Sequence, residues 1–302
     1  MPDEDVVQSL RRVLPNLSAA EARVAETMLA DPEGTAALTI TELAQRCGVS
    51  QATVARFAQS LGYAGYRDFR LELATSTSRE YVRRERFSVD GGPIATDASV
   101  SDIIATIGYR ESMTIEETAK HLDAETVETT VSALAKATRI DVVGSGSSGL
   151  VAADLQMKMQ RVDAPSHHFA DHHLTMASAA LQRPGGVIIG ISHSGQTRET
   201  IEAIAVGQKA GGTAIGITSD PESELALTCD LVLRTRSRED EYRSAAMSSR
   251  IAQLAVIDIL FAAVVQRQMP VVSESLRLTY ESVKGRRIPH TRRRRSYDAG
   301  KR

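Results

Sequence analysis

Two segments of this chain repeat one pattern: an apolar, β-branched run breaks into serine and glycine, then resumes at helical spacing. The first is Ile140 to Gly149, IDVVGSGSSG, with a helix-patterned continuation from Leu150 to Gln160; the second is Val187 to Glu199, VIIGISHSGQTRE, continued by Ile201 and Ile204. Strand, short loop and helix in that order predict an α/β fold with a parallel sheet. Such a loop brings hydroxyls and backbone N–H groups to a helix N-terminus, whose dipole favours an anion such as phosphate. In open parallel sheets ligands lie outside the carboxyl ends of the strands, so two such loops imply one shared site. The residues of GSGSSG alone are also readable as a flexible turn or a dinucleotide fingerprint. Against the latter, the glycine spacing departs from GxGxxG, and no acidic residue ends a clear second strand about twenty residues on.

A chain of 302 residues has room for a large core and more than one domain. Its two cysteines, Cys47 and Cys229, lie far apart without metal-type spacing, which argues against a disulfide framework or a zinc site and for a reducing cytoplasm. The start MPDEDVV has no apolar signal core, and the apolar stretch Ile251 to Val265 is interrupted by Gln253 and Asp258. It reads as a core helix, and no membrane association is expected.

The net charge of −2 conceals an uneven distribution. Residues 1–45 carry three positive and eight negative charges, whereas 46–86 carry eight positive and four negative. The tail from Lys284 to Arg302 holds nine Lys or Arg against one acid, including Arg292 to Arg295. Such a tail suits a solvated extension or an accessory contact to nucleic acid phosphates.

Charge changes sign inside a segment with helical punctuation. Thr41 is placed to cap a first helix bearing Leu43 and Ala44; Gly48 suits a left-handed turn, and Ser50 an N-cap for a second helix from about Gln51 to Leu61. Val54, Phe57, Ala58 and Leu61 fall on one face of that second helix, leaving Gln51, Arg56 and Gln59 nearer the other. This is helix-turn-helix spacing, in which the second helix enters the major groove. Gln51 is suited to adenine, Arg56 to guanine or phosphate, and Ser50 and Thr53 to backbone contacts. Tyr66, Arg67 and Arg70 add hydroxyls and cations just beyond, and Phe69 reads as core.

The segment TITELAQRCGVSQATVARFAQSLGYAGYRDFRLEL closely resembles the N-terminal DNA-binding domain of the RpiR (MurR/RpiR) family of bacterial transcription regulators. IDVVGSGSSGLVAADLQMKMQRV and VIIGISHSGQTRETIEAIAVGQKAGGTAIGITS resemble the sugar isomerase (SIS) domain that this family fuses to it. The resemblance implies an all-α helix-turn-helix domain at residues 1–80, a linker and connecting helix at 81–120, an SIS-type α/β sandwich at 121–270 and a basic tail at 271–302. It implies a homodimer or homotetramer that binds a palindromic operator under control of a phosphosugar. N-acetylmuramic acid 6-phosphate, other amino-sugar phosphates, and hexose or pentose phosphates are the candidates. The expected DNA contacts are Ser50, Gln51, Thr53, Arg56, Tyr66 and Arg67. The family's phosphate-loop positions fall on Ser192, His193, Ser194 and Thr197, with Ser147 and Ser148 from the first loop; Ser248, before the apolar helix, is the further effector candidate.

No cofactor, metal or catalytic set is expected. His167, His168, His172 and His173 lack the spacing of zinc hydrolases, although His168 and His172 would share a face of one helix. Glu199, Glu202, Asp171 and His172 are available as bases for an isomerase, but their spacing fixes none at the site. Three classes of function remain: a ligand-gated DNA-binding regulator, a phosphosugar isomerase with a helical appendage, and a sugar-phosphate sensor acting on a protein. Gly91, Gly92 and Pro93 mark a linker after a helix end. Helices from about Val100 to Ala137, with Ile103, Ile104 and Ile107 on one face, are expected to pack onto the SIS sheet.

Overall fold

The computed structural model describes residues 6–87, 89, 94–237 and 246–284. The linker glycines Gly91 and Gly92, Pro93, and the tail run Arg292 to Arg295 lie outside the described residues. The chain divides into two compact units, residues 1–116 and 117–302.

The first unit is helical: α1 (Val6–Val13), α2 (Ala19–Ala30), α3 (Pro32–Ala37), α4 (Ile40–Cys47), α5 (Gln51–Ser60) and α6 (Tyr66–Phe87), with α7 (Val100–His121) running across the boundary between units. Val24, Met28, Leu43, Val54, Phe57 and Phe69 form its centre, with Phe57 and Phe69 edge to face at 6.1 Å. The cap of α4 is Thr39, not Thr41. Its hydroxyl and backbone N–H both engage Glu42 in a capping box. Thr41 lies one residue inside the helix and is exposed.

Packing of α7 departs from the sequence expectation. Up to Glu116 it groups with the first unit, and Ile104 is 69% exposed. Its buried hydrophobic side chain is Tyr109, against Phe87 at 6.0 Å, with its hydroxyl donating to Glu80, which also pairs with Arg84.

The second unit adds α8 (Ala124–Lys136), β1 (Arg139–Gly144), α9 (Ser147–Gln160), β2 (Ser166–His167), α10 (His172–Ala179), β3 (Gly186–Ile191), α11 (Arg198–Lys209), β4 (Thr213–Thr218), α12 (Glu224–Thr228), β5 (Leu231–Arg234) and α13 (Met247–Lys284). The five strands are all parallel, in the order β2-β1-β3-β4-β5. Alternation along the strands sends Ile140, Val142, Val187, Ile189, Ile215 and Ile217 to one face, against α8, α9 and α13. Val143, Ile188 and Ala214 point the other way, towards α10, α11 and α12. The result is a sheet covered by helices on both faces, as a buried parallel sheet requires.

Helix α13 is longer than the apolar stretch Ile251 to Val265, and by length and composition it passes for a membrane span. Its Val256, Ile257, Leu260 and Val264 are buried in the sheet core, as the sequence expectation of a core helix requires. It continues through Lys284, so residues 271–284, expected as tail, are helical.

Candidate functional site

The helix-turn-helix corner is built from local chemistry. Gly48 ends α4 at φ +61°, a left-handed conformation that costs a glycine nothing, and its N–H closes onto the carbonyls of Ala44 and Gln45. Ser50 then caps α5, its hydroxyl accepting from Thr53 N–H at 3.1 Å and sitting 2.9 Å from Thr53 Oγ1. Val54, Phe57 and Ala58 are buried, which fixes the rotation of α5 and turns Gln51, Ala52, Arg56 and Gln59 to solvent. Gln51, Arg56 and the exposed Arg67 form no hydrogen bond or ion pair with other described residues. Their donors are available to a ligand.

Tyr66 differs from the sequence expectation. It is 7% exposed, and its hydroxyl donates to Leu38 O at 2.9 Å, a carbonyl that also accepts from Arg70 at 3.3 Å. Burial pushes its pKa up to about 12. Tyr66 therefore anchors α6 to the chain entering α4 and presents no hydroxyl to DNA. The signal was present in the sequence: Tyr66, Phe69 and Leu73 share one helical face, and all three are buried.

In the second unit the strand order reverses direction between β1 and β3, the place where sheets of this order hold ligands. Gly144 and Ile191, the last residues of these strands, are partners in register, so the two serine-rich loops leave the sheet side by side. The second loop is closely tied down. Ser192, 2% exposed, accepts from Gly195 N–H at 3.1 Å and lies 2.9 Å from Thr197 Oγ1. The His193 carbonyl accepts from Ser219 N–H at 3.0 Å, Ser219 Oγ at 2.8 Å and Thr218 Oγ1 at 3.1 Å. Gly195 has φ +63°, and a Cβ there would stand 2.0 Å from Ser223 Oγ, so both conformation and space demand glycine. Ser194 is exposed, and α11 begins at Arg198 directly after Thr197, so the loop runs into a helix N-terminus.

The first loop is less complete. Ser147 opens α9 with its Oγ buried and without a partner among the described residues. Ser148 Oγ accepts from Gln253 Nε2 at 3.1 Å. Gln253 was not singled out in the sequence, because its partner lies 105 residues away and no local spacing links them. Ser248 is half-buried in the first turn of α13, and the neighbouring Ser249 is buried with its hydroxyl on Ala246 O at 3.4 Å.

The histidine segment is dispersed. His168 lies between β2 and α10, whereas His172 opens α10, so they share no helical face. Its Nδ1 is 2.9 Å from Val142 O, which holds the ring against β1 and fixes the proton on Nδ1. His167 stacks on Phe169 with centroids 6.5 Å apart. Among the described residues no group of three or more His, Cys, Asp or Glu is arranged to hold a metal ion. Of the candidate bases, Asp171 caps α10 by accepting from Leu174 N–H at 2.9 Å, and Glu202 pairs with Arg198 at 2.8 Å and lies 3.7 Å from His172, whereas Glu199 is exposed in the first turn of α11.

Both units match known families. A helix-turn-helix domain of the rpiR family matches residues 5–80, and an SIS domain matches residues 133–263. A still uncharacterized HTH-type transcriptional regulator of Caldanaerobacter subterraneus subsp. tengcongensis is 35% identical over 284 residues, 94% of this chain and 99% of that protein. The HTH-type transcriptional regulator YbbH of Bacillus subtilis is 30% identical over 284 residues, covering 94% and 97%. Among solved structures, the Vibrio vulnificus NanR protein complexed with ManNAc-6P is similar with a TM-score of 0.59 at 25% identity, covering 93% of this chain and 99% of that one. With both domains matched in order and relatives aligned along nearly their whole length, the chain belongs to the RpiR family of HTH-type transcriptional regulators.

Proposed function

We propose that this regulator senses a phosphosugar at the two serine loops and adjusts its grip on a palindromic operator accordingly, acting as a homodimer or homotetramer and without catalysis. The observation that carries this reading is the second loop: a buried Ser192, a Gly195 that tolerates no side chain, and a His193 carbonyl held by three donors form a rigid cradle at a helix N-terminus. Rigid donors around an anion suit a dianionic phosphate. Ser192, His193, Ser194 and Thr197 take the phosphate together with Ser147 and Ser148 from the first loop, and Ser248 lies towards the sugar. The likeness to a NanR complexed with ManNAc-6P supports an amino-sugar phosphate as the ligand class. On the DNA side, Gln51 and Arg56 read bases, while Ser50, Thr53 and Arg67 hold phosphates. Sensing rather than turnover is supported by two of the four candidate bases, Asp171 and Glu202, being engaged as a helix cap and an ion pair.

Effector control needs different affinities for two states, and a coupling of about 1–3 kcal/mol is the ordinary range. The deciding experiment is a fluorescence-anisotropy titration of the protein against its own upstream DNA, with competing non-specific DNA and a panel of sugar phosphates. The panel comprises glucose 6-phosphate, N-acetylglucosamine 6-phosphate, N-acetylmannosamine 6-phosphate and N-acetylmuramic acid 6-phosphate. Specific binding shifted fivefold or more by one of them, about 1 kcal/mol, is the expected result. Turnover of a sugar phosphate by the purified protein would overturn the non-catalytic reading.

A further inference from the structure

Gln253 stands where α13 meets the first serine loop. It is 1% exposed, and its Nε2 donates to Ser148 Oγ at 3.1 Å. The other end of the same carboxamide, Oε1, is buried without a hydrogen-bond partner among the described residues, as is the Oγ of the adjacent Ser147. A buried acceptor without a donor costs stability, and folded proteins keep few of them. Two hydroxyls at the N-terminus of the 14-residue helix α9 and one carboxamide thus share a corner whose bonding is unfinished. That corner lies at the exit of β1, beside the phosphate cradle at the exit of β3.

The serine loops and the Gln253 carboxamide oxygen offer different chemistry. A phosphate dianion has only acceptor oxygens, which suits the N–H groups and hydroxyls of the second loop. It cannot satisfy a carboxamide oxygen, which requires an O–H or N–H. Because Gln253 donates into Ser148 Oγ, the Ser148 hydroxyl proton is turned away from Gln253 and is free to donate.

Resting on the phosphosugar reading of this site, we propose that Gln253 is a specificity-determining residue. Its Oε1 accepts a hydrogen bond from an O–H or N–H of the sugar body, while its Nε2 holds Ser148 with its proton directed to the ligand. The serine loops then take the phosphate, and α13 reads the sugar through Gln253. A ligand lacking that donor leaves Oε1 orphaned, which is how a site built around a buried polar group rejects an analogue.

The test uses the full-length protein, with Gln253→Met and Gln253→Leu as variants of similar bulk. Calorimetric titration with inorganic phosphate and with the four sugar phosphates named above is combined with thermal melting. Wild type is expected to bind at least one sugar phosphate more tightly than inorganic phosphate. Failure there sinks the phosphosugar reading itself, before any variant is compared. Given that binding, each variant is expected to weaken the best sugar phosphate by about tenfold or more. Affinity for inorganic phosphate should stay within about twofold, and the unliganded melting temperature should not fall, because an orphaned acceptor has been removed. Unchanged sugar-phosphate affinity overturns the proposal. So does an equal loss for phosphate and sugar phosphate, or failure of both variants to melt cooperatively, since each would make Gln253 a structural support.

Discussion

The recognition helix and the second serine loop use their polar groups in opposite ways. On α5, Gln51 and Arg56 project into solvent without partners among the described residues, and only the helix start at Ser50 and Thr53 is internally bonded. In the loop, Ser192, Thr197, Gly195 and the His193 carbonyl are bonded to one another or to β4 and its exit. DNA presents phosphates and base edges whose positions vary with sequence, so long side chains that order on contact suit it. A phosphate is small and invariant in shape, and is best met by a cradle already organised before it arrives. On the proposed function, the surface that reads DNA is adaptable and the surface that senses the phosphosugar is fixed.

The sharpest way to break this contrast is to disturb the fixed member. Gly195→Ala forces a Cβ against Ser223 Oγ in a left-handed conformation. About 3 kcal/mol of stability should be lost, together with all thermal stabilisation by sugar phosphates. An unaltered melting curve would show that the loop is not rigid.

On the adaptable side, Arg56→Ala should leave folding intact and weaken operator binding by about 1–3 kcal/mol, roughly 5-fold to 150-fold, measured by anisotropy at constant salt. The same substitution should leave sugar-phosphate binding unchanged. Ser194→Ala removes a hydroxyl from the rim of the loop and should weaken the effector about tenfold while sparing effector-free operator binding. Loss of DNA binding by a folded Ser194→Ala protein would mean that the two surfaces are not separable.

Tyr66→Phe separates an anchor from a reader. The buried hydroxyl bond to Leu38 predicts a loss of about 1 kcal/mol of stability and no change in operator affinity per folded molecule. Smallest is the effect of acid on the reading unit. Hydrogen bonds from Gly34 to Asp31 and from Thr39 to Glu42 hold these carboxyls below their ordinary values of 3.8 and 4.5. The stabilisation is present above those values and is lost as pH falls through the lowered ones. Circular dichroism should therefore show helix loss in the isolated first-unit signal only below about pH 4, and Glu42→Gln should flatten that acid limb.

The helix-turn-helix corner was legible because its punctuation is local: Gly48 and Ser50 each act within one turn. Thr39 was missed in favour of Thr41, although a glutamate three residues on distinguishes them. Glu42 answers Thr39, whereas Ala44 follows Thr41. The strand-loop-helix units were legible for the same reason. Tyr66 was misread because an aromatic hydroxyl suits both a phosphate and a buried carbonyl, and only the packing of α6 decides. The exposed start of α7 was misread because three isoleucines at helical spacing announce an apolar face without saying whether anything covers it. Gln253 was invisible, since its meaning depends on a fold that brings α13 to the β1 exit.

The strand order has a consequence for how the protein behaves in a crowded solution. The sheet's two margins are formed by its shortest strands, Ser166–His167 and Leu231–Arg234. An edge of two or four residues offers few unpaired backbone groups to a foreign strand, so templated sheet growth between molecules gains little purchase. The apolar β3 and β4 are paired on both sides, so neither presents a free edge to a foreign strand.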